Sequence, residues 1–186
     1  MVSEPWGVSP RTIRAKGPWA NALRLTHHSP LTKLEGEETM ASYFAEAGVA
    51  VGTDLPIINV AGGTSIREKL FEWLISFSTA PADVATLFKI ARTTDAGTGG
   101  TALTAAKHDP LTVAATGAPK SGTYTTAPTD EGQGQRFSIN QRSSQRWTAR
   151  EGKELISAAA ANNGIMLNSQ SSGGTPTCEA TLNWEE

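Results

Sequence analysis

Phe71-Glu-Trp-Leu-Ile-Ser-Phe-Ser78 alternates large apolar side chains with mostly polar ones. The apolar side consists of Phe71, Trp73, Ile75 and Phe77. A second stretch, Thr177–Trp184, shows the same alternation, with Cys178, Ala180, Leu182 and Trp184 on one side. A period of two places alternate side chains on opposite faces of a β-strand. Both stretches therefore predict strands that pack one face in a core and expose the other to water.

Most of the remaining chain reads as further short strands separated by turn residues. They are predicted at Ala41–Val51, Leu55–Val60, Thr86–Thr93, Leu111–Ala115, Gly122–Ala127, Gln135–Asn140, Leu155–Ala161 and Ile165–Ser169. The Gly- and Thr-rich stretch Asp95–Ala106 is predicted as a loop, and Asn162-Asn163-Gly164 as the turn of a hairpin. Many short strands with regular turns predict an all-β domain, a β-sandwich or jelly-roll-like fold over residues 40–186. A short helix at Ala41–Ala50 or Pro81–Ile90 is the competing local assignment.

Residues 1–39 differ in character from this domain and predict an extended N-terminal arm. Four prolines interrupt any helix or central strand in it. The arm also carries large apolar side chains and an excess of basic residues. This composition suits an extended segment that lies on a protein surface. Its candidate interface residues are Trp6, Arg11, Arg14, Trp19 and Arg24. Docking on a partner or a neighbouring subunit, folding back on its own domain, and disorder all remain open.

The overall composition disfavours several classes of partner. The formal net charge of -2 offers no general attraction for nucleic acid. No apolar run approaches the roughly 18 residues that a membrane helix needs, and the first residues lack a signal-peptide layout. We therefore expect a soluble protein that binds neither nucleic acid nor membranes. The single cysteine, Cys178, is expected to pack as a small apolar residue.

The candidate catalytic and metal-binding residues form no convincing site. His27 and His28 are adjacent in the arm and His108 precedes a turn, so no metal-ligand spacing occurs. Gly97–Gly100 lacks the lysine and the helix start of a phosphate loop. Asp130 and Glu131 lie side by side in a glycine-rich stretch and are read as solvated charges. These observations predict a protein that is not an enzyme and has no metal, cofactor or small-molecule substrate.

Arg142, Arg146 and Trp147 form a basic and aromatic cluster late in the sequence. Nearby acids dilute its positive charge, which argues against a nucleic-acid site. Arginine and tryptophan are favoured in protein interfaces. These three residues therefore join the arm residues as candidate partner contacts.

Five features between Leu70 and Glu186 resemble a known group of proteins. They are the strand Leu70–Ser78, the strand Phe88–Arg92 that ends in arginine, the loop Thr98–Thr101, the Arg146-Trp147 pair, and the final Trp184-Glu-Glu186. The run resembles the small β-sandwich decoration, or cement, proteins of tailed-bacteriophage capsids. The resemblance implies a structural virion protein made in the host cytoplasm. It further implies a homotrimer on the outer capsid surface that binds the major capsid protein and stabilises the shell.

Two other functions remain open at this point. One is another virion component, such as a head-fibre base, a head–tail joining protein or a tail protein. The other is a lectin-like carbohydrate-binding module in which Trp147 or Tyr124 provides a stacking surface for a sugar ring.

Overall fold

The computed structural model describes residues 40–186, and these residues form twelve β-strands. The strands are β1 (Ser42–Ala50), β2 (Leu55–Ala61), β3 (Lys69–Thr79), β4 (Ala85–Thr93), β5 (Thr98–Ala102), β6 (Ala106–Lys107), β7 (Ala118–Thr126), β8 (Asp130–Asn140), β9 (Gln145–Thr148), β10 (Leu155–Ile156), β11 (Gly164–Ser172) and β12 (Thr177–Glu185). Within this part of the chain there is no helix, so both predicted helical alternatives are wrong.

The strands form two antiparallel sheets that pack face to face. The first sheet has the order β10-β3-β12-β1-β6, with β9 also paired to β3, and the second has the order β5-β7-β2-β11-β4-β8. The chain changes sheet at each step from β1 to β4, so strands adjacent in sequence lie in different sheets. This architecture confirms the prediction of an all-β sandwich.

The two stretches that alternate most clearly in sequence are neighbours in the first sheet. Trp73 of β3 pairs with Leu182 of β12, and Ile75 pairs with Ala180. All four side chains are buried, and Cys178 and Trp184 are buried on the same face. The shared inward face that the alternation predicts is therefore confirmed for these residues.

Phe71 is the exception, because the ladder between β3 and β12 contains a bulge. Asn183 pairs with Glu72, whereas Trp184 pairs with Leu70, so Phe71 is the extra residue. A bulge reverses the alternation beyond it, and Leu70 takes the buried position. The half-buried Phe71 ring lies 6.4 Å from the His108 ring, centroid to centroid. The prediction that Phe71 faces the core is therefore wrong.

A row of aromatic rings crosses the sandwich from one sheet to the other. Starting at Trp147 in the first sheet, successive ring centroids are 6.3 Å to Trp73, 4.4 Å to Phe137, 5.8 Å to Phe88 and 6.0 Å to Phe77. Large rings bury more apolar surface than any other side chains, and stacked rings gain further attraction. We call these five residues the aromatic row; it fastens β3 and β9 to β4 and β8.

The segment from Asp95 to Ala115 differs from the prediction in both of its halves. The predicted loop contains the edge strand β5, which pairs with β7, and the short β6, which pairs with β1. The predicted strand Leu111–Ala115 is instead irregular. The Asp109 carboxylate accepts a hydrogen bond from the Leu111 N–H at 2.9 Å, and the Tyr43 hydroxyl donates to the Val113 carbonyl at 3.1 Å. One local side-chain bond and one bond to β1 hold this stretch in place of strand pairing.

The predicted hairpin at Asn162-Asn163-Gly164 does not form. The preceding strand β10 contains only two residues and pairs with β3 in the first sheet, whereas β11 belongs to the second sheet. Gly164 starts β11, and its Cα packs against the Val60 backbone so closely that a Cβ would overlap it. The glycine therefore serves a close backbone approach rather than a tight turn.

The first and last described strands lie next to each other. Ala41 and Glu186 exchange two backbone hydrogen bonds, of 3.3 and 3.0 Å, and β1 pairs with β12 from Ser42–Glu185 to Ala50–Thr177. The two ends of the sandwich are thus held together by a continuous ladder.

Candidate partner interface

Within residues 40–186, charged side chains form two ion pairs. The first joins Lys89 of β4 to Asp130 at the start of β8. The Lys89 side chain is only 7% exposed, and its ammonium group also lies 3.4 Å from the Gly132 carbonyl. Asp130 therefore neutralises a buried lysine, and the reading of Asp130 as a solvated charge is wrong; the neighbouring Glu131 is exposed.

The second ion pair lies on the outer face of the first sheet, the face that points away from the core. The Arg146 guanidinium donates to the Glu72 carboxylate, which also accepts bonds from Thr148 at 3.3 Å and Asn183 at 3.4 Å. The Arg146 side chain is 66% exposed, whereas that of Glu72 is 17% exposed. Glu72 thus holds the Arg146 side chain in place while most of the guanidinium group stays exposed to solvent.

The three residues of the predicted basic and aromatic cluster point in different directions. Arg146 lies on the outer face, whereas Trp147 packs inward, its ring stacked on Trp73 with 16° between the planes. Arg142 is exposed in the turn after β8, where its N–H donates to the Asn140 side chain at 2.9 Å. The interface role of these residues remains a prediction, but they do not form one patch.

The remaining predicted contact residues, Trp6, Arg11, Arg14, Trp19 and Arg24, lie outside the described part of the chain. His27 and His28 do so as well. The interface role of the five arm residues therefore stays a prediction.

His108 is held between aromatic rings rather than among metal ligands. Its ring lies 5.1 Å from the Phe44 ring, centroid to centroid, and its Nε2 is 3.0 Å from the Asn183 side-chain oxygen. No group of three or more metal-binding side chains occurs in residues 40–186. The histidine, its two aromatic neighbours and Asn183 form one end of the outer face of the first sheet.

A groove of about 430 Å³ follows the same outer face further along the strands. Its lining residues come from β1, β3 and β12 and are Glu46, Ala47, Gly48, Leu74, Ser76, Glu179, Ala180 and Thr181. Leu74 is 40% exposed at the centre of β3. We call this feature the outer groove. It combines an exposed leucine with two carboxylates, Glu46 and Glu179.

Gly48 gives the outer groove its shape. It pairs with Glu179 across the β1–β12 ladder, and a Cβ at position 48 would lie 2.7 Å from the Glu179 carboxylate. The missing side chain leaves room for one oxygen of that carboxylate beside β1, while the other oxygen accepts a hydrogen bond from Ser78 of β3 at 2.7 Å. Sequence reasoning missed this groove; the one available signal was Leu74, a large apolar residue on the polar side of β3.

The backbone edge of β1 runs beside the outer groove. On that side β6 pairs with Tyr43 and Phe44, and no other described strand pairs with the rest of β1. From Ala45 to Ala50, β1 is therefore paired only with β12 among the residues that the structure describes. An edge of this kind presents backbone donors and acceptors to an added strand.

Two buried groups could titrate or react but are shielded from solvent. Burial raises the pKa of the Cys178 thiol to about 12, with a smaller contribution from the Glu179 charge. The Cys178 side chain is fully buried, so the prediction that it packs as a small apolar residue is confirmed. Burial also raises the pKa of Glu68, opposed by a hydrogen bond from Ser157. One Glu68 carboxylate oxygen has no hydrogen-bond partner.

Comparisons with protein-family models, with curated proteins and with solved structures gave no match to this chain. Among the described residues, no helix has the length and apolar character to cross a membrane.

Proposed function

We propose that this protein is a structural component of a tailed-bacteriophage virion that decorates the capsid by binding the shell of major capsid protein. The proposal rests on the resemblance of Leu70–Glu186 to capsid decoration proteins and is supported by the β-sandwich fold. In this proposal the protein is not an enzyme, acts as a homotrimer on the outer capsid surface, and stabilises the shell by bridging its subunits.

The observation that carries the proposal is the outer face of the first sheet. On this face the exposed Arg146 is paired with Glu72, and the exposed Leu74 lines the outer groove together with Glu46 and Glu179. Exposed apolar surface rimmed by polar groups is typical of protein-binding sites. A sheet face with this composition suits docking on another folded surface.

The proposal is tested by sedimenting the full chain with purified capsid shells. We expect saturable binding, and we expect Leu74→Glu to weaken it at least tenfold, since a carboxylate would replace apolar contact at the centre of the face. Val84→Glu is the matched control, because Val84 is 36% exposed and directly precedes β4 of the second sheet. Absence of the chain from sedimented shells, or equal binding by both variants, would contradict the proposal.

The number of copies per particle separates this role from the other virion roles. A decoration protein occupies sites over the whole shell, so its copy number follows that of the major capsid protein. A fibre base, joining protein or tail protein follows the few copies of a vertex or tail. Quantitative mass spectrometry of purified particles measures this ratio directly.

The carbohydrate-binding alternative has weaker support from the site geometry. One face of the Trp147 ring is stacked on Trp73. The Tyr124 ring lies over Gly100, where a Cβ would be 3.0 Å from it. Both aromatic residues named for sugar stacking thus have a neighbour on one side. A glycan array with Trp147-dependent binding would favour this alternative.

A further inference from the structure

The outer groove carries a local excess of negative charge. Its lining includes the carboxylates of Glu46 and Glu179 and contains neither lysine nor arginine. Both glutamates are exposed. The two ion pairs within residues 40–186 involve other carboxylates, so no described cation neutralises this pair. The groove therefore favours a positively charged occupant.

The strand register brings both carboxylates and the exposed Leu74 onto the same part of the outer face. Leu74 pairs with Thr181, and Thr181 pairs with Glu46, so these three side chains form one row across β3, β12 and β1. Glu179 lies two residues before Thr181 and points to the same face of β12. Direct and diagonal neighbours on one face of a sheet lie within about 8 Å of each other. One extended side chain can therefore contact Leu74 and both carboxylates.

The Glu179 carboxylate is held in position without any partner. Ser78 donates a hydrogen bond to one of its oxygens at 2.7 Å. Its other oxygen occupies the space beside Gly48, 2.7 Å from where a Cβ would stand. A group that is already fixed loses less conformational freedom on binding than a freely rotating one. Glu179 is thus prepared for a contact of defined geometry.

Arginine is the side chain whose shape and charge match this arrangement. Its aliphatic stem can pack on Leu74, while its guanidinium group presents several N–H donors to Glu46 and Glu179. Lysine carries a compact, strongly hydrated charge, and in protein interfaces arginine is enriched whereas lysine is depleted. The groove volume of about 430 Å³ leaves room for a whole arginine side chain.

We propose that the outer groove receives an arginine side chain from the major capsid protein of the shell. The inference rests on the proposed function and assigns the chemistry of the contact. The guanidinium group lies between Glu46 and Glu179, and its stem lies on Leu74. The same face of a second copy would bring four groove carboxylates together, and this repulsion disfavours pairing of two copies through the groove.

The test measures how tightly the full chain sediments with purified shells. Glu46→Gln/Glu179→Gln keeps the shape of both side chains and removes their charge. It should raise the dissociation constant at least tenfold and reduce its salt dependence. Glu131→Gln/Glu151→Gln is the matched control, because both acids are exposed and lie outside the groove. Gly48→Ala should weaken binding several-fold with every charge retained, since the new methyl group would displace the Glu179 carboxylate.

Chemical modification of the shell identifies the group that the partner supplies. Phenylglyoxal blocks arginine side chains, so shells treated with it should lose binding at least tenfold. Acetylation removes the charge of lysine side chains only, and acetylated shells should bind as untreated shells do. Electron microscopy of both treated samples establishes that the shells are intact, and thermal unfolding of each variant establishes that the sandwich is folded.

The possible failures separate this inference from the capsid role. If the wild type binds shells and Glu46→Gln/Glu179→Gln binds equally well, the inference is wrong and the capsid role stands. Loss of binding on lysine acetylation alone would also overturn the arginine contact. Self-association of free chains that the same double variant abolishes would assign the groove to a second copy. A wild type that does not bind shells would overturn both the capsid role and this inference.

Discussion

Trp73 and Phe137 stack with their ring centroids 4.4 Å apart and their planes 10° apart, and the contact joins the first sheet to the second. Phe137 also stacks on Phe88, its partner across the β4–β8 ladder. One ring therefore takes part in holding the long edge strand β8 to its neighbour and holding the two sheets together.

Phe137→Leu should reduce the free energy of unfolding by about 1–2 kcal/mol. Leucine retains apolar contact but removes the ring stacking with Trp73 and Phe88, and such aromatic pairs contribute about 0.5–1.5 kcal/mol each. Urea unfolding measures the loss, with Ser138→Ala on the exposed face of the same strand as the control. Equal stability of Phe137→Leu and wild type would show that the stacking contributes nothing.

Trp184→Ala should cost roughly 3–5 kcal/mol, because the tryptophan is 1% exposed in the core. Phe71→Ala should cost only about 1 kcal/mol, since the bulge turns Phe71 toward His108 on the outer face. Thermal unfolding of the two variants compares the two aromatic positions. Similar losses for both would mean that Phe71 contributes to the core after all.

Asp130→Asn should destabilise the sandwich by about 3 kcal/mol, because it leaves the buried Lys89 ammonium without a counter-charge. Lys89→Met should stay within about 1 kcal/mol of wild type, since methionine fills the space without a charge and the Asp130 side chain retains 24% exposure to water. The double variant should be more stable than Asp130→Asn alone. Denaturant unfolding of the wild type, the two single variants and the double variant forms a double-mutant cycle. If the losses of the two single variants simply add in the double variant, Lys89 and Asp130 are not coupled.

Glu68→Gln should stabilise the protein at neutral pH. Burial raises the Glu68 pKa, so the folded state holds the Glu68 proton more tightly than the unfolded state does. The protonated Glu68 side chain makes its full contribution to stability below the ordinary glutamate pKa. This contribution is lost as the pH rises through the raised pKa of the folded state. The melting temperature of Glu68→Gln should exceed that of wild type at pH 8, as thermal unfolding of both chains would measure.

The stabilisation by Glu68→Gln should be much smaller at pH 4.5, where protonation already neutralises part of the wild-type carboxylates. Glu151→Gln, at an exposed turn position, is the control and should change neither value. A stability loss that is equal at both pH values would indicate that the Glu68 side chain acts only through its hydrogen bond with Ser157.

The main strands of the sandwich could be predicted because their alternation reflects burial on one face. Trp73, Ile75 and Leu182 lie inside as their spacing requires. Phe71 could not be placed in the same way, because a bulge depends on the register between two strands that are distant in sequence. The prediction of a hairpin at Asn162–Gly164 was wrong for a similar reason. Whether this turn joins two paired strands depends on which sheet each flanking strand enters.

The candidate interface was harder to predict than the fold. The outward position of Leu74 follows from the alternation of β3, but Glu46 and Glu179 come together only because β1 pairs with β12 in a particular register. Trp147 also looked like a surface residue by composition. Its inward position follows from its pairing with Trp73, and that pairing leaves no local signal in the sequence.

The adjacency of Ala41 and Glu186 determines how the domain responds to tension. A force that pulls these two ends apart acts at the end of the β1–β12 ladder, where the pair Ser42–Glu185 lies next in line. Because antiparallel bonds run perpendicular to the strands, they would break one pair at a time, as in peeling. A pull between Ala50 and Glu186 would instead shear many bonds at once. The sandwich therefore resists a pull along the β1–β12 ladder better than a pull that separates Ala41 from Glu186.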